Sequence, residues 1–371
     1  MFYNTYLKGN CVYPFLNNFT EGKIREFNFA PNELPDIVVK RVIDKICKSI
    51  NYQQDDLICI ESNYDIVSFW AELVAKEISA KHICFCCNEV FTGYRKKYHD
   101  FIDFFKFKYD RNELLGISKD SMHLLFGDLF PLLKSDDSHF FVAAADESVQ
   151  DVQYDIVNEI VKKDINIAYI GRANKGNFDD IVYSVMKFVR SVSSKTVLFV
   201  VVGDFNSKQR TNINQKFKNE KNLTILFTGS LVPLPVSLFR LLDVCIACSG
   251  CAIASAQQNV PTILIDAIDG LSNGILGYDT NDLLFREDGK KGEQIEDTLY
   301  NLLVKNKYLG KKNSFTYNVN RNLIYKNHLL LFDQKIEQVY YTDKLKSPKN
   351  ITVFIILKFL YLKFIKIDKV V

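Results

Sequence analysis

Cys245, Cys248 and Cys251 stand at Cys-x2-Cys-x2-Cys spacing in the stretch DVCIACSGCAIAS, residues 243–255. Bacterial ferredoxins open their cluster-binding run with that spacing. The neighbouring residues argue against a cluster. DVCIAC reads as a buried strand, and side chains alternate along a strand, so Cys245 and Cys248 point to opposite faces. A cluster needs ligands that converge from a loop, and a fourth ligand; no cysteine follows Cys251. Zinc would also need a fourth ligand, and no histidine is near in sequence. The expectation is therefore three small buried residues, with no metal and no iron–sulfur cluster. The same holds for Cys84, Cys86 and Cys87 in HICFCCNE, although a pair facing a cleft would be reactive.

The turn itself offers different chemistry. CSGCA is a strand end, a Ser-Gly loop and a helix N-terminus, where backbone N–H groups and the helix dipole receive a phosphate. The amides of Ser249, Gly250 and Cys251 would face the anion. Ser249 adds a hydroxyl, and Gly250 lets the backbone come close. An ordinary N-cap serine would look the same, so the turn alone leaves both readings open.

The elements that must position this turn alternate regularly. In the second half, INIAYIG (165–171) reads as a strand, Asp179 to Val192 as a helix, and TVLFVVVG (196–203) as an uninterrupted apolar strand covered on both faces. Then come KQRTNINQKFKN as a helix, LTILFTG as a strand, VSLFRLL as a helix, DVCIAC as a strand, AIASAQQ as a helix beginning at Cys251, and PTILID as a strand. In the first half, DDLICI (55–60), the helical stretch NYDIVSFWAELVAKEISA and KHICFCC form a parallel strand–helix–strand unit. Residues 95–130 look mostly helical, HFFVAAA (139–145) is a further strand, and Asp146–Asp151 reads as a hinge. The fold class is thus α/β, with two doubly wound domains joined near 146–165 and ligands expected outside the carboxyl ends of the strands.

Bulk numbers agree. A chain of 371 residues suggests about two domains. Lys+Arg (47) nearly balance Asp+Glu (44), so the +3 charge lacks the broad basic field of a nucleic-acid binder. MFYNTYLKGNCVYPF has no basic region followed by an apolar one, and nine cysteines sit among apolar neighbours. Reduced thiols and a cytoplasmic location follow. At the other end, NITVFIILKFLYLKFIKIDKVV puts Lys358, Lys363, Lys366 and Lys369 on one side of a helical wheel. Phe354, Ile355, Ile356, Phe359, Leu360 and Leu362 cover much of the rest. Such a basic amphipathic helix over 350–371 is expected to lie in a membrane interface; the alternative is a helix packed back on the protein.

Taken in order, the second-half motifs resemble the C-terminal donor-binding domain of GT-B glycosyltransferases, particularly glycosyltransferase family 4 and related bacterial surface-polysaccharide enzymes. YIGRANKG (169–176), VLFVVVGDF, LTILFTGSL, DVCIACS, ASAQQNVPTILID and DGLSNGILGYDTNDLLF carry the likeness across roughly residues 165–310. It implies two Rossmann-like domains facing a cleft: an acceptor-binding domain (1–150), a nucleotide-sugar-binding domain (151–330) and a C-terminal helical extension (331–371). It also implies that Arg172 and Lys175 neutralise the departing diphosphate without a metal, the alternative being a solvated loop. The family usually carries two glutamates with seven residues between them near 245–256, whereas CSGCAIASAQQ holds no acid. Gln257 or Gln258 would then meet a ribose hydroxyl. In the first half, Asn88 and Glu89 follow KHICFCC, and Glu89 is the candidate base for an acceptor hydroxyl. Glu61 and Ser62 are second candidates. His82 starts a strand and is expected away from the site. Lys96, Lys97 and His99 could touch a phosphorylated acceptor, and Asp279 and Thr280 could border the donor.

The expected function is transfer of a sugar from a nucleotide-diphosphate sugar to a lipid-linked or oligosaccharide acceptor, at the inner face of the cell membrane. Two alternatives stand beside it: a degenerate GT-B binding partner, which the missing glutamates favour, and a nucleotide-sugar epimerase, which the scarcity of histidine disfavours.

Overall fold

Apolar runs that alternate with amphipathic helices can satisfy their backbone groups only as parallel strands covered on both faces. In the computed structural model this happens twice. The structure describes residues 2–4, 20–50, 52–53, 56–63, 66–86, 102–116, 122, 126, 149–172, 178–266, 268–281, 283, 286, 289–316, 326, 330, 339–342 and 345. The chain divides into two compact units, Met1–Ala143 with Asn320–Val371, and Ala144–Val319.

The first unit opens with β1 (Phe2–Asn4) paired parallel to β2 (Thr20–Lys23). Helix α1 (Asp36–Ser49) follows, then β3 (Cys59–Asn63), α2 (Ile66–Glu77), β4 (Lys81–Cys86), α3 (Ile102–Asp110) and β5 (Leu114–Gly116). The three strands form one parallel sheet in the order β3-β4-β5. Two expectations shift. The register runs from Cys59 opposite Lys81 to Asn63 opposite Phe85, so the strand starts later than 55–60, and Glu61 and Ser62 lie inside it. Within 95–130, Leu114–Gly116 is a strand bonded to Cys84–Cys86; three residues are too few to show a periodicity. Trp70, Phe69, Phe104 and Phe105 fill the core, with Phe69 and Phe104 edge-on at 5.1 Å, and the Trp70 indole N–H donates to the Phe29 carbonyl at 2.9 Å.

Ionisable groups are sealed into this core. Lys108 lies 2.6 Å from Glu72 and 2.8 Å from Glu113, and donates to the His82 carbonyl at 3.1 Å. The His82 Nδ1 sits 2.7 Å from Glu72, and its Nε2 sits 2.8 Å from the Ser62 hydroxyl. The second Glu72 oxygen accepts the Tyr341 backbone N–H at 2.9 Å, and the Tyr340 hydroxyl donates to the Ala80 carbonyl, so residues near 340 are tied to this unit. Burial alone would raise the Glu72 carboxyl, but the His82 hydrogen bond and the Lys108 charge overcome it and hold it at about 2. His82 itself is drawn upward against its burial by the Cys84 sulfur and Glu72.

The second unit carries a short parallel pair, β6 (Val149–Gln150) with β10 (Leu234–Pro235), where the hinge was expected. Its main elements are α4 (Asp155–Asn158), β7 (Ile165–Ile170), α5 (Phe178–Ser191), β8 (Val197–Val202), α6 (Ser207–Lys216), β9 (Leu223–Gly229), α7 (Val236–Phe239), β11 (Val244–Ala247), α8 (Ser249–Gln257), β12 (Thr262–Ile265), β13 (Ser272–Ile275) and α9 (Ile295–Leu303). The six-stranded sheet has the order β13-β12-β11-β7-β8-β9 and is parallel except for β13. Every residue of β7, β8, β11 and β12 is buried, in keeping with their largely apolar sequences. Ile167, Val185, Phe188 and Phe199 belong to the core on one face, and Ala168, Val200, Leu238 and Leu264 to the core on the other. At the amino end of the sheet, buried Asn166 donates twice to Asp243, from its backbone and its amide, at 2.7 and 2.8 Å. This bond pins β7 to β11.

Glu72→Gln is expected to cost the first unit about 3–5 kcal/mol, because it leaves the buried Lys108 short of a counter-charge. Urea unfolding read by Trp70, the only tryptophan in the chain, measures this. The folded carboxyl titrates below its ordinary value of 4.5, so its contribution is complete above about pH 4.5 and is lost as pH falls toward about 2. The variant should show a correspondingly shallower acid loss.

Candidate functional site

In an open parallel sheet, ligands bind beyond the carboxyl ends of the strands where the strand order reverses. Here the chain runs outward from β7 to β8 and β9, then returns to place β11 and β12 on the other side of β7. The reversal therefore lies between β7 and β11, which pair directly with Tyr169 opposite Ile246. The turn after β7 carries Arg172, and the turn after β11 carries Cys248, Ser249 and Gly250.

Close backbone approach shapes this end of the sheet. The Tyr169 hydroxyl donates to the Arg172 carbonyl at 3.1 Å and holds the start of the loop over the strand, while Arg172 itself is exposed. The Gly171 N–H donates to Val202, and the Gly203 N–H to Gly229, so the three strand ends are stepped together. A Cβ on Gly203 would lie 2.0 Å from the Gly171 carbonyl oxygen, so no larger residue fits. Burial, and then the neighbouring Cys248 and Cys251 side chains, push the Tyr169 phenol well above its ordinary value. Arg172 acts on the same phenol in the opposite direction, so these four side chains share one neighbourhood.

Helix α8 begins at Ser249 rather than Cys251. Cys248 is its extended N-cap, at φ −138°, and Ser249 adopts the left-handed region at φ 53°. The Ser249 N–H donates to the Leu283 carbonyl at 3.0 Å. Of the three amides expected to face an anion, one thus has an acceptor within the protein. Gly250 is in the first helical turn, whose N–H groups have no intrahelical acceptor. Gln257 is the last residue of α8 and is exposed, about 12 Å along the helix axis from this turn.

The cysteines need a correction. Cys245 is buried, and burial pushes its thiol up to about 12. Cys248 and Cys251 are only partly buried, because β11 ends at Ala247 and both lie at the mouth of the sheet. Among the described residues no group of three or more His, Cys, Asp and Glu side chains is placed to hold a metal ion.

The acids that follow β12 and β13 are engaged internally. Asp266, after β12, accepts the N–H groups of Ile268 and Asp269 with one oxygen and that of Arg286 with the other, at 2.8, 3.3 and 2.7 Å. Arg286 forms a two-point pair with Asp269 at 3.0 and 3.1 Å. Asp279, read from the sequence as bordering the donor, accepts the Ile275 N–H at 2.9 Å and the Tyr308 hydroxyl. Asp266 was not anticipated, although an aspartate followed by a turn in DAIDG is the pattern that caps its own loop. In the first unit, Ser62, His82 and Glu72 form a hydroxyl–imidazole–carboxylate chain of the kind that activates nucleophiles, but it is walled into the core. Glu61 is exposed on β3. Lys175, Asn88, Glu89, Lys96, Lys97, His99 and residues 350–371 lie outside the described residues. No described helix is long and apolar enough to cross a membrane.

Neither a protein-family model nor a curated relative matches the chain. Solved structures do match it. A glycosyltransferase from Rickettsia africae shares 14% identity over 81% of this chain and 82% of its own, with a TM-score of 0.51. A Listeria monocytogenes protein named a UDP-N-acetylglucosamine 2-epimerase shares 12% over 90% and 88%, with a TM-score of 0.50. Anabaena HepE, solved with UDP and glucose, shares 11% over 87% and 84%, also at 0.50. The fold is that of the GT-B proteins: α/β, with Rossmann-like parallel sheets.

Gly203→Ala is expected to cost about 1–3 kcal/mol through overpacking against the Gly171 carbonyl. Gly229→Ala meets no atom within 4 Å and suffers only its left-handed backbone. Calorimetry should therefore find the first variant the less stable; equal melting temperatures would remove the carbonyl contact as the cause.

Proposed function

We propose that this protein is a glycosyltransferase that moves a sugar from a nucleotide-diphosphate sugar to a glycan acceptor. The single observation that carries the reading is the meeting of Arg172 with the N-terminus of α8 at the point where the strand order reverses. A guanidinium and a helix N-terminus together suit a diphosphate. As the bond between the sugar and the diphosphate breaks, negative charge grows on the leaving oxygen. Arg172, joined in this reading by Lys175, neutralises it, and the Gly250 N–H adds a fixed dipole. Neutralisation by cations of the chain makes a metal unnecessary in this reading. Glu89, with Asn88 beside it, takes the proton of the acceptor hydroxyl.

The acceptor in this proposal is a lipid-linked glycan of bacterial surface polysaccharide assembly, met at the inner face of the membrane. The support is the sequence of residues 350–371, whose lysines suit anionic head groups. Removing 350–371 should move the protein from the membrane to the soluble fraction on cell fractionation; unchanged sedimentation with membranes would remove this part of the proposal.

A protein named an epimerase shares the fold, so the first assay must separate two outcomes. A transferase releases the nucleoside diphosphate as sugar appears on the acceptor. An epimerase alters the sugar while it stays on the nucleotide. A degenerate partner would bind without turnover, which the lack of any acid in Ser249–Gln257 makes a specific possibility. A thermal-shift screen against UDP, GDP, CMP and ADP comes first. A nucleotide at about 100 times its dissociation constant should stabilise the protein by about 2.7 kcal/mol. The shift should appear with one base and vanish in Arg172→Ala. A shift of equal size in the variant would remove Arg172 from the phosphate site.

A further inference from the structure

We propose that Cys248 and Cys251 form a redox-active dithiol that closes to a disulfide across the first turn of α8. The proposal does not depend on the sugar-nucleotide reading. A Cys-x-x-Cys pair beside a strand–helix junction is a known frame for thiol–disulfide chemistry, and here the sequence is Cys-Ser-Gly-Cys directly after β11. Cys248 is the N-cap of α8 and Cys251 its third residue. An N-cap side chain reaches back over the first turn toward the third helical residue, so Cys248 and Cys251 are placed for their sulfurs to meet after a rotamer change.

The other described cysteines are placed differently. Cys84, Cys86 and Cys245 are buried. Cys59 is partly exposed, but burial pushes its thiol up to about 12, and the Cys47 thiol is likewise raised by burial. Neither has a cysteine three positions away. Cys248 and Cys251 are both partly exposed, and both stand within electrostatic reach of Tyr169, as does Arg172. The helix N-terminus and the Arg172 guanidinium put positive potential beside them, the setting in which thiolate attack proceeds.

The step balances with a small-molecule disulfide of the glutathione class as oxidant. The thiolate of one cysteine attacks that disulfide, forms a mixed disulfide and releases one thiol. The second cysteine then attacks the protein sulfur of the mixed disulfide. This forms the Cys248–Cys251 bond and releases a second thiol. Two protein thiols lose two electrons and two protons, which the oxidant carries away as two thiols.

The test uses the full-length protein equilibrated in buffers of varied glutathione and glutathione disulfide, quenched with acid, then unfolded, alkylated and digested with trypsin. The peptide running from Leu241 to Arg286 contains Cys245, Cys248 and Cys251. Under reducing conditions it should carry three alkyl labels, and under oxidising conditions a single label, on Cys245. The oxidised fraction should follow the square of the glutathione concentration over that of its disulfide, which marks an intramolecular bond. Cys248→Ser and Cys251→Ser, which change little in size, should each abolish the one-label form while keeping the melting temperature. Three labels at every ratio, a mixed disulfide with first-power dependence, or a bond that involves Cys245 would each overturn the proposal.

Discussion

The pairing of β7 with β11 is the constraint on which the candidate site depends. Arg172 and Cys248 are separated by a long stretch of chain, through four strands and three helices, and no local rule connects them. They meet because β7 sits inside the sheet with β8 on one side and β11 on the other. Asn166 and Asp243 pin the register at the amino end of this pair. A slip of one residue would turn every side chain of β11 to the wrong face, carrying Cys245 out of its core and displacing the turn that follows. Gly171 and Gly203 then allow the neighbouring strand ends to step together at a distance that a side chain would forbid.

The two units solve the problem of their buried polar groups differently. The second unit keeps its central strands almost wholly apolar and places several of its buried polar side chains at strand and loop ends, where Asp266 organises a turn through backbone N–H groups. The first unit admits charge to its interior. Lys108 stands between Glu72 and Glu113, and His82 bridges Glu72 to Ser62. Such a network is stable only when every member has a partner, so it specifies one packing of α2, α3 and the sheet. Because Glu72 also accepts the Tyr341 N–H, the same network records the return of the chain to this unit after it has built the other one.

These differences bear on the proposed chemistry. A site that receives a diphosphate needs positive potential and open backbone N–H groups more than it needs carboxylates, and in the proposed reading Arg172 and the first turn of α8 supply them. The acids after β12 and β13 are turned into loop caps or an ion pair, and Arg172 stands exposed at the mouth. The pair of partly exposed cysteines at the same mouth is a further property of the turn, created by a strand that stops one residue before Cys248.

Much of the fold was legible in the chain. LTILFTG forms β9 over its full predicted length, and INIAYIG and TVLFVVVG form β7 and β8, because short β-branched, largely apolar runs bounded by turns favour strands. The apolar stripe of Ile181, Val185, Phe188 and Val189 likewise determined the buried face of α5. The sequence by itself thus determined the alternation of elements, the parallel sheets and the loop that carries Arg172. Tertiary structure alone decided which loops meet, because strand order comes from long-range pairing and leaves no periodic trace. It decided that Glu72 and Lys108 are buried, since a carboxylate and an ammonium enter a core only when a distant partner is there to receive them. And it decided that Cys248 and Cys251 stand at the mouth of the sheet while Cys245 is sealed within it, because exposure depends on where pairing stops, which is a property of the neighbouring strand.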